Sequence, residues 1–273
     1  MQKNTGYRSA VCRVSDNGAE DRMDGWGFWT AAVIASVLVG MGKGGMPLVG
    51  MLGVPVLALA ISPVTAAGLL LPVYVVSDMF GLYAYRHAFS GRVLAIVVPG
   101  AVVGIGLGWA TAHLVPEAAV TLLVGLIGSV FALVSLLRRD PGGPPRRAEV
   151  APGLFWGAVT GFTSFVSHSG GPPYQVYTLP LRMEKTVFAG TATIAFAIIN
   201  AVKLIPYWAL GQLSAESLQH AVLLFVPAAV AVFVGLRLVR ILPARAFFGL
   251  VTWALLIVSA KLVWDGVRGL GLT

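Results

Sequence analysis

The sequence predicts an all-α polytopic membrane protein made of two inverted repeats, each of about five helical segments. Three observations carry this. The 273 residues are 57% hydrophobic and only 11% charged, where a soluble domain carries about 25% charged residues, and mean hydropathy is +0.84. The apolar residues fall in runs near the roughly 20 residues that a spanning helix needs. The chain also divides near its middle into two stretches that resemble each other.

Residues 1–24 are polar and lack an apolar stretch, so they read as a poorly ordered tail and not a signal peptide. The first repeat, 25–138, holds segments expected near 26–42, 46–61, 64–85, 93–114 and 117–137. A Pro-, Gly- and Arg-rich linker, 139–151, follows. The second repeat, 152–268, holds segments near 152–167, 172–182, 187–209, 216–241 and 244–266. In each half the first two segments are short and separated only by a glycine-rich break, "GKGG" at Gly42–Gly45 and "SHSGG" at Ser167–Gly171. Such pairs read as broken or re-entrant hairpins, each interrupted at a Gly-rich tip.

The repeat shows in paired motifs. "GKGGMP" (Gly42–Pro47) matches "HSGGPP" (His168–Pro173) at an offset of 126, and "VPGAV" (Val98–Val102) matches "VPAAV" (Val226–Val230) at 128. Pro116 matches Pro243 at 127, while Asp78 pairs with Asn200 and Tyr85 with Tyr207 at 122. One set of connections carries Arg86, Arg92, Arg138, Arg139, Arg146, Arg147, Arg182, Lys185, Arg237, Arg240 and Arg245; the opposite set carries no Lys or Arg. The basic set is expected in the cytoplasm and both termini outside. An odd number of segments per half makes the halves antiparallel. Inverted repeats are a recurring plan of secondary transporters, whose substrates bind where the halves meet.

A broken membrane helix frees backbone N–H groups, and its N-terminus carries partial positive charge, so an anion is a suitable occupant. Glycine permits close approach of the backbone, and proline suits the first turn of the following half-helix. The substrate-binding candidates are Lys43, Gly44, Gly45, Ser169, Gly170, Gly171, Gln175, Asn200 and Tyr207. Lys43 reads as a counter-ion or as a lysine reaching to the interface. His168 reads as a proton-coupling group or as a neutral ring bonded to a carbonyl. Asn200, Lys203 and Tyr207 share one helix face and are expected to line a cavity. Asp78 and Lys203 are expected to pair, with a proton or cation site at Asp78 as the second reading. His168, Asp78 and Lys203 are thus the coupling or gating candidates. The series "GAVVGIGLG" (Gly100–Gly108) reads as a helix-packing stripe.

The two glycine-rich breaks, each opening one half, resemble those of the TauE/SafE family, the sulfite exporters or toluene-sulfonate uptake permeases; the likeness runs over nearly all of 26–268. The resemblance implies a bacterial-type inner-membrane transporter of small sulfur-containing or organic anions such as sulfite, sulfoacetate and other sulfonates, acting as an exporter. Lys43, His168 and Ser169 depart from the neutral, glycine-rich pattern of that family. Proton coupling is the expected energy source. The expected partners are the anion and the lipid bilayer. No cofactor is expected, and sequence assigns no oligomeric state, because lipid-facing and partner-facing apolar surfaces read alike.

Other classes fit less well. The net charge of +8 and pI near 10.0 follow from basic cytoplasmic loops, without nucleic acid. The single cysteine, Cys12, forms no internal disulfide and no metal cluster. "GKGG" lacks the phosphate-binding form G-x-x-x-x-G-K-[ST]. An intramembrane hydrolase would need the Ser–His proximity of "SHSGG" to become a nucleophile–base bond. A passive anion channel remains the main alternative to a carrier.

Overall fold

Small polar side chains open two helices of the first half. Ser62 Oγ accepts from the Thr65 N–H at 3.2 Å, and Ser90 Oγ accepts from the Val93 N–H at 3.4 Å. Each satisfies a donor that a helix start leaves free. The structure, a computed structural model, describes residues 25–44, 46–112, 114–137, 144–241 and 244–271. The tail with Cys12, Gly45, Arg138 and Arg139 lie outside the described residues.

The first half contains α1 (Trp26–Lys43), the short α2 (Pro47–Gly50) and α3 (Gly53–Leu57), then α4 (Pro63–Tyr85), α5 (Gly91–Thr111) and α6 (Glu117–Leu137). The second contains α7 (Val150–Ser167), α8 (Gly171–Thr178) with a 3-10 turn at Leu179–Leu181, then α9 (Lys185–Ala209), α10 (Ala215–Ile241) and α11 (Ala244–Gly269). Among the described residues, seven helices (α1, α4, α5, α6, α7, α9 and α10) are long and apolar enough to cross a membrane. The chain is an all-α, multi-spanning membrane protein.

The stretch 46–61, expected as one segment, is two helices. Pro55 has no N–H to give to the Met51 carbonyl, and the backbones of Gly42 and Gly50 meet so closely that a Cβ on Gly42 would overlap the Gly50 Cα. Tyr74 Oη donates to the freed Gly50 carbonyl at 3.0 Å.

Four helix pairs organise the bundle: α5 packs on α7, α1 on α10, α6 on α11 and α4 on α9. The glycine stripe explains the first. A Cβ on Gly100 or Gly104 would strike the carbonyls of Leu154 or Ala158, while Gly157 and Gly161 of α7 face the carbonyls of Val97 and Ala101. Without side chains between them the two backbones touch, which is how helices associate where no water drives them together. Pro99 and Pro227 lie inside α5 and α10. Trp26, Trp208 and Trp264 are exposed, as interfacial anchors are, whereas Trp29 packs against His220 and Trp156 against Phe155.

Candidate functional site

The two breaks converge on the crossing of α4 and α9. There Asn200 Nδ2 donates to Asp78 Oδ2 at 2.7 Å. Lys43, at the C-terminal end of α1, places Nζ 2.5 Å from Asp78 Oδ1. The expected Asp78–Lys203 pair is therefore not formed; Lys43 holds the carboxylate. Lys203 donates to the Ser164 carbonyl at 3.0 Å, to Ser164 Oγ at 3.1 Å and to His168 Nδ1 at 2.6 Å. Those three bonds use all three ammonium donors. Lysine is long enough for either partner; position along the break decides which it meets.

His168 ends α7 in a left-handed conformation, φ 54°, and its N–H reaches back to the Ser164 carbonyl at 3.0 Å. That geometry suits glycine and is uncommon for a side chain of this size. Its ring is held at both nitrogens and lies against two tyrosines. Nε2 lies 3.0 Å from the Ala67 carbonyl; a carbonyl only accepts, so Nε2 carries the proton and Nδ1 receives Lys203. The ring stacks on Tyr74 at 4.6 Å and leans on Tyr207 at 6.0 Å.

A cavity of about 80 Å³ opens beside this cluster, lined by Gly42, Lys43, Tyr74, His168, Tyr174, Gln175 and Asn200 together with apolar residues of α1 and α9. On that measure one water occupies roughly 10–15 Å³, so a small anion fits. Lys43 is 11% exposed, whereas Asp78 behind it is 1% exposed. Tyr174 projects from the first turn of α8 with its hydroxyl buried and without a partner among the described residues. Sequence reasoning missed Tyr174 and Ser164. Their signals were positional: Tyr174 directly follows the Pro-Pro pair, and Ser164 stands one helical turn before His168.

A second cavity, about 380 Å³, lies toward the other end of the bundle, lined by Ser62, Thr65, Thr111, Gln212 and Tyr207 among apolar residues. Asn200, Lys203 and Tyr207, expected to line one cavity, therefore divide. Asn200 faces the first, Tyr207 faces the second, and fully buried Lys203 stands in the wall between. Seven residues of helix advance about 10 Å, enough to cross such a wall. Tyr207 Oη closes it further by donating to the Phe165 carbonyl at 2.5 Å.

The other candidates fall as follows. Gly44 packs on α10, where a Cβ would meet Val232 and Gly235. Gly170 is enclosed by Phe196, Ser164 and Thr160, and Gly171 lines the cavity. Ser169 Oγ donates to the Ser167 carbonyl at 3.3 Å. The backbone cradle is thinner than the breaks suggest. Pro172 and Pro173 have no N–H, and the Tyr174 N–H is bonded to the Gly170 carbonyl at 3.2 Å. The cavity's donors are mainly side chains. No serine bonds to the His168 ring, whose nitrogens meet Lys203 and Ala67. Among the described residues no three His, Cys, Asp or Glu gather as a metal site.

Comparison with known families identifies the family of the chain. The model described as "Sulfite exporter TauE/SafE" matches residues 27–262. The chain belongs to the TauE/SafE family. That is a family of membrane transporters associated with sulfite and anion export, not of enzymes. No curated protein and no solved structure matches the chain. The TauE/SafE match covers both breaks, and with them every described residue around the two cavities.

Proposed function

We propose that this protein is a secondary transporter of small sulfur-containing or organic anions, sulfite, sulfoacetate or other sulfonates, working as an exporter by alternating access. The observation that carries the reading is the first cavity. It is lined by Lys43, Gln175 and Asn200, with the Tyr174 side chain in its wall, at the meeting of two helix breaks. Beside the cavity the Lys43 ammonium is the lining charge, with the Asp78 carboxylate behind it, so a negative ligand meets the positive group first.

Alternating access needs two halves that rock about a central site. The helix pairings support an inverted repeat. Exchanging the halves turns the α5–α7 contact into the α10–α1 contact and returns α4–α9 and α6–α11 to themselves. Asp78 and Asn200, matched in sequence, touch each other, as equivalent residues do beside a two-fold axis. Two separate cavities with a wall between them suit a carrier better than an open channel. On this reading the basic connections face the cytoplasm, the termini lie outside, and the inner membrane holds the bundle.

The test is thermal stabilisation of detergent-purified protein by sulfite, sulfate, sulfoacetate, taurine, methanesulfonate and simple carboxylates, followed by flux in proteoliposomes. A ligand of the native state raises the melting temperature by mass action. Stabilisation by a sulfonate or sulfite, with saturable flux of the same anion, is expected. No stabilisation by any of them sinks the reading, and anion currents that do not saturate replace the carrier with a channel.

A further inference from the structure

Asp78 is an under-coordinated carboxylate. It is buried, Oδ2 accepts one bond from Asn200, and Oδ1 touches only Lys43 among the described residues. A carboxylate offers about four lone-pair sites, so most of its stabilisation rests on one ammonium. Among the described residues that ammonium is also the only lysine or arginine group lining the first cavity. An anion entering the cavity and the Asp78 carboxylate therefore compete for the same Nζ.

The groups facing this pair offer no substitute. From α9, Lys203 lines neither cavity, and its three donors are occupied by Ser164 and His168. From the second break, both nitrogens of His168 are bonded. From α4, the Tyr74 hydroxyl is committed to the Gly50 carbonyl. From α8, Tyr174 lines the cavity as a neutral side chain, and its hydroxyl is buried. Once a negative ligand draws on Lys43, Asp78 is, among the described residues, the carboxylate left beside it with its countercharge shared. A buried charge whose partner is lost is strongly unfavourable, and a proton removes it.

We propose that the Lys43–Asp78 pair is a proton-coupled anion switch: an oxygen of the bound anion takes over Lys43 Nζ, and Asp78 Oδ1 takes up one proton from the buffered solvent. One anion and one proton then bind together, and both leave together when the pair re-forms. The step is thus a symport, in which outward flux is drawn by the anion's own gradient and not by the proton gradient. This step rests on the reading of the cavity as an anion site. It selects Asp78 from the three coupling candidates and fixes the stoichiometry at one proton for each anion.

The experiment is calorimetric titration of the purified protein with sulfoacetate and with methanesulfonate, both fully ionised at neutral pH, in buffers of different ionisation enthalpy. Wild type is expected to take up close to one proton per anion bound. Its affinity then falls about tenfold per pH unit as pH rises through the linked range. Asp78→Asn keeps the shape of the side chain and removes both the competitor and the proton site. It is expected to bind the anion about tenfold more tightly, with no proton uptake and no pH dependence. Binding by wild type without proton uptake overturns the switch while leaving the anion site standing. Proton uptake that persists in Asp78→Asn assigns the proton elsewhere and also overturns it. Binding of neither anion removes the site itself. The wild-type proton count needs no variant, so misfolding of Asp78→Asn leaves the test intact.

Discussion

Tyr174→Phe separates a functional hydroxyl from a structural one, because the two effects have opposite sign. Tyr174 is 2% exposed, and its hydroxyl has no partner among the described residues. The ring is held by Phe196 at 5.4 Å and Phe188 at 6.3 Å between centroids, contacts that phenylalanine keeps. An unpaired buried polar group costs about 1–3 kcal/mol. Removing it from the empty protein therefore stabilises by about 1 kcal/mol, a rise in melting temperature of about 2–4 °C for a chain of this size. If binding brings the anion to the same hydroxyl, the bond to a charged ligand is worth about 1.5–3 kcal/mol. Its loss weakens binding about 10- to 150-fold. Melting curves recorded across a sulfoacetate titration read both quantities from one preparation. A lower melting temperature without ligand means that the hydroxyl has a structural partner. An unchanged Kd means that it faces no anion. Either result refutes the reasoning.

Lys43→Ala abolishes stabilisation by anions and strands the Asp78 carboxylate, lowering stability by about 3–5 kcal/mol; adding Asp78→Asn restores most of that stability, measured by denaturation in detergent, but no binding. Gly104→Ala forces a Cβ onto the Ala158 carbonyl and costs about 1–3 kcal/mol. Gly106→Ala, two residues along the same helix with open space at the Cβ position, instead gains up to about 1 kcal/mol, and equal melting temperatures for the two would refute the α5–α7 seam. His168→Gly suits the φ of 54° but removes the ring from the wall, so proteoliposomes holding the variant should leak small anions without saturation; liposomes as tight as those with wild type would place the barrier elsewhere.

The helices were legible because the bilayer allows few alternatives: each long apolar run had to satisfy its own backbone. The expected 64–85 became Pro63–Tyr85 and 117–137 became Glu117–Leu137. The short second segment was harder, since Pro55 and the contact between Gly42 and Gly50 divide it through a tertiary approach that local pattern does not reveal. The site divides the same way. Lys43, His168, Gln175 and Asn200 stood out as polar residues in apolar surroundings, and all four line the cavity. Which partner each would take was not legible. Asp78 meets Lys43 at the end of α1, while Lys203 turns to Ser164 and His168, a choice made by tertiary contacts. The opposite error came from glycine. Gly44 and Gly170 read as ligand-facing because glycine admits a ligand, but it equally admits a neighbouring helix, and both pack against protein.

The asymmetry of the cluster follows from the proposed two-fold axis. Equivalent residues beside such an axis face each other at contact distance, as Asp78 and Asn200 do at 2.7 Å. Two aspartates there would set like charges together in a buried place, tolerable only with a shared proton. Two asparagines would leave Lys43 with no countercharge and bury an unpaired ammonium. One acid and one amide solve both problems: the amide donates to the acid, and the acid keeps a free oxygen for the lysine. The same division appears at the breaks, where Lys43 of the first half corresponds to Ser169 of the second. A second lysine in that place would need its own carboxylate. The halves can therefore share a fold while their polar residues differ, and they must differ most where they touch. That contact is also where one ligand, which has no two-fold symmetry to match, has to be held.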